Sequence, residues 1–337
     1  MSRVRSFLSA LLAAALAGVM AACTGGGVPQ SPSASRPAPS ATSGAIPTTP
    51  GATDTGPIHI PLSGAAPDAI VLDGDTAWVL AGEGGTLMEV DLEGRREVRA
   101  IEVGFGATHV ALPASGLAAV ARFDASGNGT FLPIIDLRTA ALDGIDTGPL
   151  GGLAPGEDGI VWALERADRL VKVDAVGRRV LGSVRVDVGE NVHTEVQWGA
   201  GAAWVGSDGT PVVRVGGDLA VEASIAVDTG LPFLVRDGLV WGAGPEQLWA
   251  IDTASNLVVR EIPLQDVIEV LAVDVQGDEA WLAIRHPGHV GAVLRLDLAD
   301  GEVVEEHAVS LPAAVKMAPG RAWVASYLTN ELFGFAR

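Results

Sequence analysis

The sequence predicts an all-β fold, a seven-bladed β-propeller with four-stranded blades, on three observations. A tryptophan preceded by Ala or Val recurs at 78, 162, 204, 241, 281 and 323. The segments around these tryptophans repeat one order of short apolar runs and turns. The two ends of the repetitive part are complementary fragments of one unit.

The period comes first, because a repeat of 20–50 residues decides the architecture. From Trp162 onward the gaps are about 37 to 42 residues, while Trp78 and Trp162 lie about two periods apart. Midway between them stands "LAAVA", with Ala119 in the tryptophan slot. Seven units of about 40 residues therefore tile the repetitive part, residues 58–337.

Within a unit, the first strand is an apolar run such as "DAIVLDG", and the second carries the tryptophan, as in "TAWVLAG". The third ends in an acidic turn, "VDLEG", "IDLRT", "VDAVG", "IDTAS" or "LDLAD", with Asp91, Asp136, Asp174, Asp252 and Asp297 placed to bond turn amides. The fourth alternates and stops at glycine in several units, as in "REVRAIEVG" and "LGSVRVDVG". Four short alternating strands make a blade. A second strand faces both neighbouring blades, so its tryptophan is expected to fill the wedge between sheets. The seventh unit ends one strand short at "AWVASYLTNELFGFAR", while "GPIHIPLSGA" supplies a lone strand before the first unit. Pairing residues 58–62 with the last strand closes the ring and removes two exposed sheet edges.

Composition agrees with many strands and tight turns: 337 residues, 48% apolar, 43 glycines. The net charge of −19 argues against nucleic-acid phosphates and anionic lipid headgroups as partners. A single cysteine excludes a disulfide framework and a cysteine-rich metal site. The cations are nearly all arginine, with Lys172 and Lys316 the two lysines.

Residues 1–22 read as a signal peptide: Arg3 and Arg5, an apolar run from Phe7 to Met20, then small residues. The run is short for a bilayer span. "VMAAC" resembles a bacterial lipobox, with Met20 in the place usually held by Leu, which implies lipidation of Cys23. Residues 23–57 are then the lipidated cysteine and a Pro/Ser/Thr/Ala/Gly linker, too poor in large apolar residues to order itself. The propeller domain takes 58–337. The expected location is the cell membrane, lipid-anchored and facing outside the cytoplasm, with the membrane touched only through the anchor.

"GGTLMEVDLEGRREVRAIEVG" and "AWVASYLTNELFGF" resemble the YVTN-type propeller repeat, and "GIVWALERADRLVKVDAVGRRV" resembles blades of the virginiamycin B lyase type. The resemblance covers nearly all of 58–337 and implies a seven-bladed propeller. For activity it implies less, because propellers host binding modules and enzymes alike. The lyase family places a Glu-x-His order at its magnesium site, whereas this chain has His193-Thr194-Glu195 and no second matching His. No repeated Ser-x-Asp-x-Gly-x-x-Trp box of the sialidase kind occurs.

Candidate site residues lie where the repeat is broken. Two units have long connections between second and third strands, carrying "RFDASGNGTF" and "IRHPGHVGA" on one face of the disc. "DASGNG", with Asp124 and Asn128, opens like a calcium loop, but Ile135 stands where the closing glutamate belongs, so a polar hairpin tip is the better reading. "RHPGH" holds Arg285, His286 and His289; two histidines three apart suit a metal, yet Pro-Gly also makes a turn and no third ligand is evident. Aligning the units on their tryptophans brings Asp68, His109, Gly152, Thr194 or Glu195, Phe233, Glu269 and Ala313 to one rung of the channel lining. His109, His193, Glu195 and Glu269 are thereby expected to approach one another at its mouth, where a carboxylate beside a histidine suits general-base chemistry.

The function expected is a monomeric, lipid-anchored binding module for a peptide, a glycan or an envelope protein, with no cofactor. The alternative is a lyase or hydrolase using His and Glu with a divalent cation.

Overall fold

The computed structural model describes residues 56–123, 131–165, 168–188, 194–227 and 231–337. Strands build seven four-stranded antiparallel sheets, one per repeat, and no helix occurs among the described residues. In blade 1 the strands run from the channel outward as Pro67–Asp73, Thr76–Ala81, Thr86–Asp91 and Arg96–Glu102. The innermost strands of blades 2 to 7 are Ala107–Ala114, Leu150–Pro155, Thr194–Gly199, Phe233–Arg236, Glu269–Gln276 and Pro312–Ala318.

Ring closure follows the reading of the two termini. Ile58–Pro61 is the outer strand of blade 7 and pairs antiparallel with Glu331–Ala336, Ile58 opposite Gly334 and Pro61 opposite Glu331. The Leu62 amide continues the pairing to the Asn330 carbonyl at 2.9 Å. Ile60 is fully buried by this arrangement, in a cluster that joins blade 7 to blade 1.

The core is seven separate apolar clusters, each lying between two adjacent blades. Trp78, Trp162, Trp204, Trp241, Trp281 and Trp323 each belong to a different one, and none is more than 4% exposed. The tryptophans are wedges. Between blades 2 and 3, where Ala119 takes the slot, Leu132, Ile134, Leu150 and Leu153 fill the gap. Cations ride on several of these rings: Arg99 over Trp78, Lys172 over Trp162 and Arg214 over Trp204. Each reaches on to a carbonyl of the next blade, at Leu137, Gly217 and Thr253 respectively. Aromatic and cation together latch one blade to the next.

The acidic turns also do structural work. Asp91, Asp136, Asp174, Asp252 and Asp297 accept amides two or three residues on, at 2.7 to 3.0 Å. The fourth residue after each aspartate has positive φ, from 53° at Arg95 to 78° at Gly301. That left-handed step costs about 1 kcal/mol in a residue with a Cβ, and the aspartate bonds offset it.

A second regularity positions the candidate site. The innermost strands of blades 1, 2, 3, 6 and 7 each shift register near their start, at Pro67/Ala69, Ala107/His109, Leu150/Gly152, Val270/Ala272 and Pro312/Ala314. A bulge re-aims one side chain and ends regular pairing. Here the extra residue sits at the end of the channel that faces the second-to-third strand connections.

Candidate functional site

The channel opens on the face that carries the second-to-third strand connections and the connections between blades; that end is the mouth. Below it lies a cavity of about 380 Å³, inside the ~300–1,000 Å³ range of small-ligand sites. Its polar lining is Asp68 from blade 1, Thr108 and His109 from blade 2, Glu195 and Gln197 from blade 4 and Lys316 from blade 7. Leu153, Phe233 and Leu271 supply apolar wall.

Asp68, His109 and Glu195 are each half-buried in the channel wall. Burial therefore disfavours their charged forms. It pushes the Asp68 carboxyl up to about 7; a bond from the Gly82 amide pulls it back, and the nearby Glu83 charge adds to the rise. Asp68 Oδ1 is buried without a hydrogen-bond partner. Burial likewise pushes Glu195 up to about 7, against a 2.7 Å bond from the Gln197 amide and the charge of Lys316. His109 is lowered to about 4 by burial, so its ring is neutral at pH 7, with Nδ1 3.1 Å from Thr108 Oγ1. At the rim the Tyr327 hydroxyl donates to Glu83; burial and the charges of Glu83 and Asp68 raise its pKa further.

Of the residues singled out in the sequence, His109 and Glu195 share this cavity. Glu269 does not join them. It opens the innermost strand of blade 6, opposite Arg285 in the ladder, and its carboxylate is ion-paired with Arg285. Leu271 takes its rung, because Asp274, not Ala272, lies opposite Trp281. A count that ends at Glu269 overshoots the lining by two residues. His286 donates from Nδ1 to the Asp266 carbonyl at 2.7 Å, and its Nε2 lies 3.1 Å from Glu306. Its ring ties the connection from blade 5 to the outer strand of blade 6. His289 is a turn residue with φ 63° whose amide returns to the His286 carbonyl. Among the described residues no three His, Cys, Asp or Glu side chains are grouped to hold a metal ion. Much of the extra length of this unit is absorbed by seven-residue strands, Glu279–Arg285 and Gly291–Asp297. Cys23, Asp124, Asn128 and His193 lie outside the described residues.

Sequence reasoning passed over Lys316, Gln197, Glu83 and Tyr327. Lys316 and Gln197 lie opposite Trp323 and Trp204 in their ladders, seven residues before each. That fixed offset and the rarity of lysine were the available signals.

Around the mouth four large apolar side chains stand in solvent: Phe105, Ile268, Val290 and Leu328, 43% to 65% exposed. They come from the connection after blade 1, the connection before blade 6, and the second-to-third connections of blades 6 and 7. Other exposed apolar residues, among them Val258, Val259, Val303 and Val304, lie on the outer strands of blades 5 and 6.

No protein-family model matches the chain, and no curated protein matches it. Solved structures do. The chain is similar to hydrazine synthase of Kuenenia stuttgartiensis at 15% identity and a TM-score of 0.66, over 87% of this chain and 99% of that one. It is also similar to the computationally designed Ika8 protein at 12% identity and a TM-score of 0.58, over 82% and 98% of the two chains. At such identities the likeness is one of fold alone.

Proposed function

We propose that this chain is a binding module held outside the cytoplasm by a lipid on Cys23, and that it engages a partner protein or peptide with its mouth face. The observation that carries the reading is the grouping of Phe105, Ile268, Val290 and Leu328 around a polar cavity on one face. Exposed apolar groups gathered around a concave polar site mark interaction surfaces.

An enzyme, a lyase or hydrolase, is the second reading, and one observation favours it. His109 and Glu195 share the cavity and both carry shifted acidities, a pattern that general acid–base sites use.

Immobilised full-length chain should retain the same envelope protein or peptide repeatedly, and the Phe105→Glu/Leu328→Glu variant should lose it. Equal retention by both would overturn the mouth-face assignment. Turnover of an envelope substrate that is lost with Glu195→Gln would favour the enzyme.

A further inference from the structure

We infer that the mouth cavity is a receptor for one basic side chain of the partner, a lysine or arginine tip drawn by the carboxyls of Asp68 of blade 1 and Glu195 of blade 4 in its lining. The inference rests on the mouth-face reading and adds the chemistry of the group recognised.

The lining has the composition such a tip needs. Lysine and arginine are aliphatic stems ending in a cation; here Leu153, Phe233 and Leu271 offer apolar wall, and two carboxyls stand on separate blades. Asp68 Oδ1 is a buried acceptor that no protein donor reaches. Buried polar atoms without a partner are costly, and a turn of the half-buried carboxyl toward the cavity would let a cationic N–H supply the missing bond. Glu83 adds negative charge at the entrance, and the chain as a whole carries −19, so the field draws cations inward. Lys316 lies deeper, on the rung opposite Trp323. Its ammonium repels a second cation and so marks the floor of the site.

An anionic ligand fits less well. It would meet one ammonium against two carboxyls and Glu83. The raised pKa values of Asp68 and Glu195 point the same way: burial outweighs the Gly82 amide at Asp68, and the Gln197 amide and Lys316 charge at Glu195, and a bound cation would offset what remains of that penalty. Affinity should therefore rise with pH. The groups facing the pair are Glu83 and Tyr327 at Asp68, Lys316 at Glu195, and a neutral His109. Below pH 6 both carboxyls are protonated, and affinity should fall about tenfold or more from its value at pH 8.

The test is isothermal titration calorimetry of the full-length chain at pH 8 with Nα-acetyl-lysine amide, its uncharged analogue Nα-acetyl-norleucine amide, and N-acetylglutamate. The lysine probe should bind and the other two should not. Asp68→Asn and Glu195→Gln should each weaken it about tenfold, whereas Lys316→Met should tighten it. If Asp68→Asn fails to fold, Glu195→Gln and Lys316→Met still decide by their opposite signs. Equal binding of norleucine would make the cavity a plain apolar pocket and overturn the inference. Binding of N-acetylglutamate that Lys316→Met abolishes would make it an anion site and do the same, and so would no binding by any probe. Partner retention that depends on Phe105 and Leu328 but not on Asp68 would leave the mouth-face reading standing and this inference refuted.

Discussion

Ring closure by the first strand can be tested with Ile60→Ala. Ile60 is fully buried and packs in one cluster with Ile70, Val79 and Met88 of blade 1 and Trp323 and Leu332 of blade 7. The substitution removes three carbons, and such deletions in cores cost about 2–5 kcal/mol, the spread reflecting how far the site collapses. Collapse is limited here. The neighbours belong to two sheets whose backbones are fixed by their own ladders, so the expected loss is about 3–4 kcal/mol. Ile60→Val, which removes one carbon, should cost about 0.5–1.5 kcal/mol. Urea unfolding followed by tryptophan fluorescence and by far-ultraviolet circular dichroism measures both. The two signals should move together, with a lower midpoint and an unchanged slope. A loss below about 1 kcal/mol for Ile60→Ala would show that the strand is not part of the cooperative structure, and the closure argument would fail.

Other expectations follow from single residues. Arg337 bridges to Glu279, Gln276 and the Ala318 carbonyl between blades 6 and 7; burial raises Glu279, but the Arg337 and Trp281 bonds and the Arg337 and Arg295 charges outweigh it. Arg337→Ala should cost about 1–3 kcal/mol in urea unfolding. Asp174 is held below the usual carboxylate range, first by the Gly177 amide. Its contribution is present above pH 4 and lost as pH falls through its folded value, so the stability gap between wild type and Asp174→Ala should close in acid. Asp68 and Glu195 have the opposite sign. Their folded pKa of about 7 lies above 3.8 and 4.5, so stability falls as pH rises from about 4.5 to 7. Asp68→Asn/Glu195→Gln should remove that slope and be more stable than wild type at pH 8, by about 1–2 kcal/mol after screening by channel water. Labelled palmitate should enter wild type and be absent from Cys23→Ser.

The scaffold was legible because each of its parts is written locally. The tryptophan slot, the Asp-capped turn and the strand alternation each occupy a few consecutive residues and recur, so even the Ala119 exception identified a blade. The channel lining was legible only in part. The bulge recurs at the same place in most innermost strands, so a count of ten residues back from the tryptophan slot holds through it and reaches Asp68, His109 and Leu271. His109 and Glu195 survive the count; Glu269, two residues too early, ends in an ion pair with Arg285. His286 illustrates a different obstacle. Its partners are a backbone carbonyl and a carboxylate that are each 20 residues away in sequence, and nothing in "RHPGH" announces them. The exposed Phe105 and Leu328 were equally hidden, since one apolar residue in a turn has meaning only when the fold gathers several.

The central claim is that recognition belongs to the mouth face. Site-specific photocrosslinking in the cell envelope tests it most directly, with a benzophenone amino acid placed at Phe105 on that face and at Val176, exposed in a turn on the opposite face. The account predicts one discrete adduct from position 105, diminished by Asp68→Asn, and none from 176. An adduct from 176 alone would contradict it.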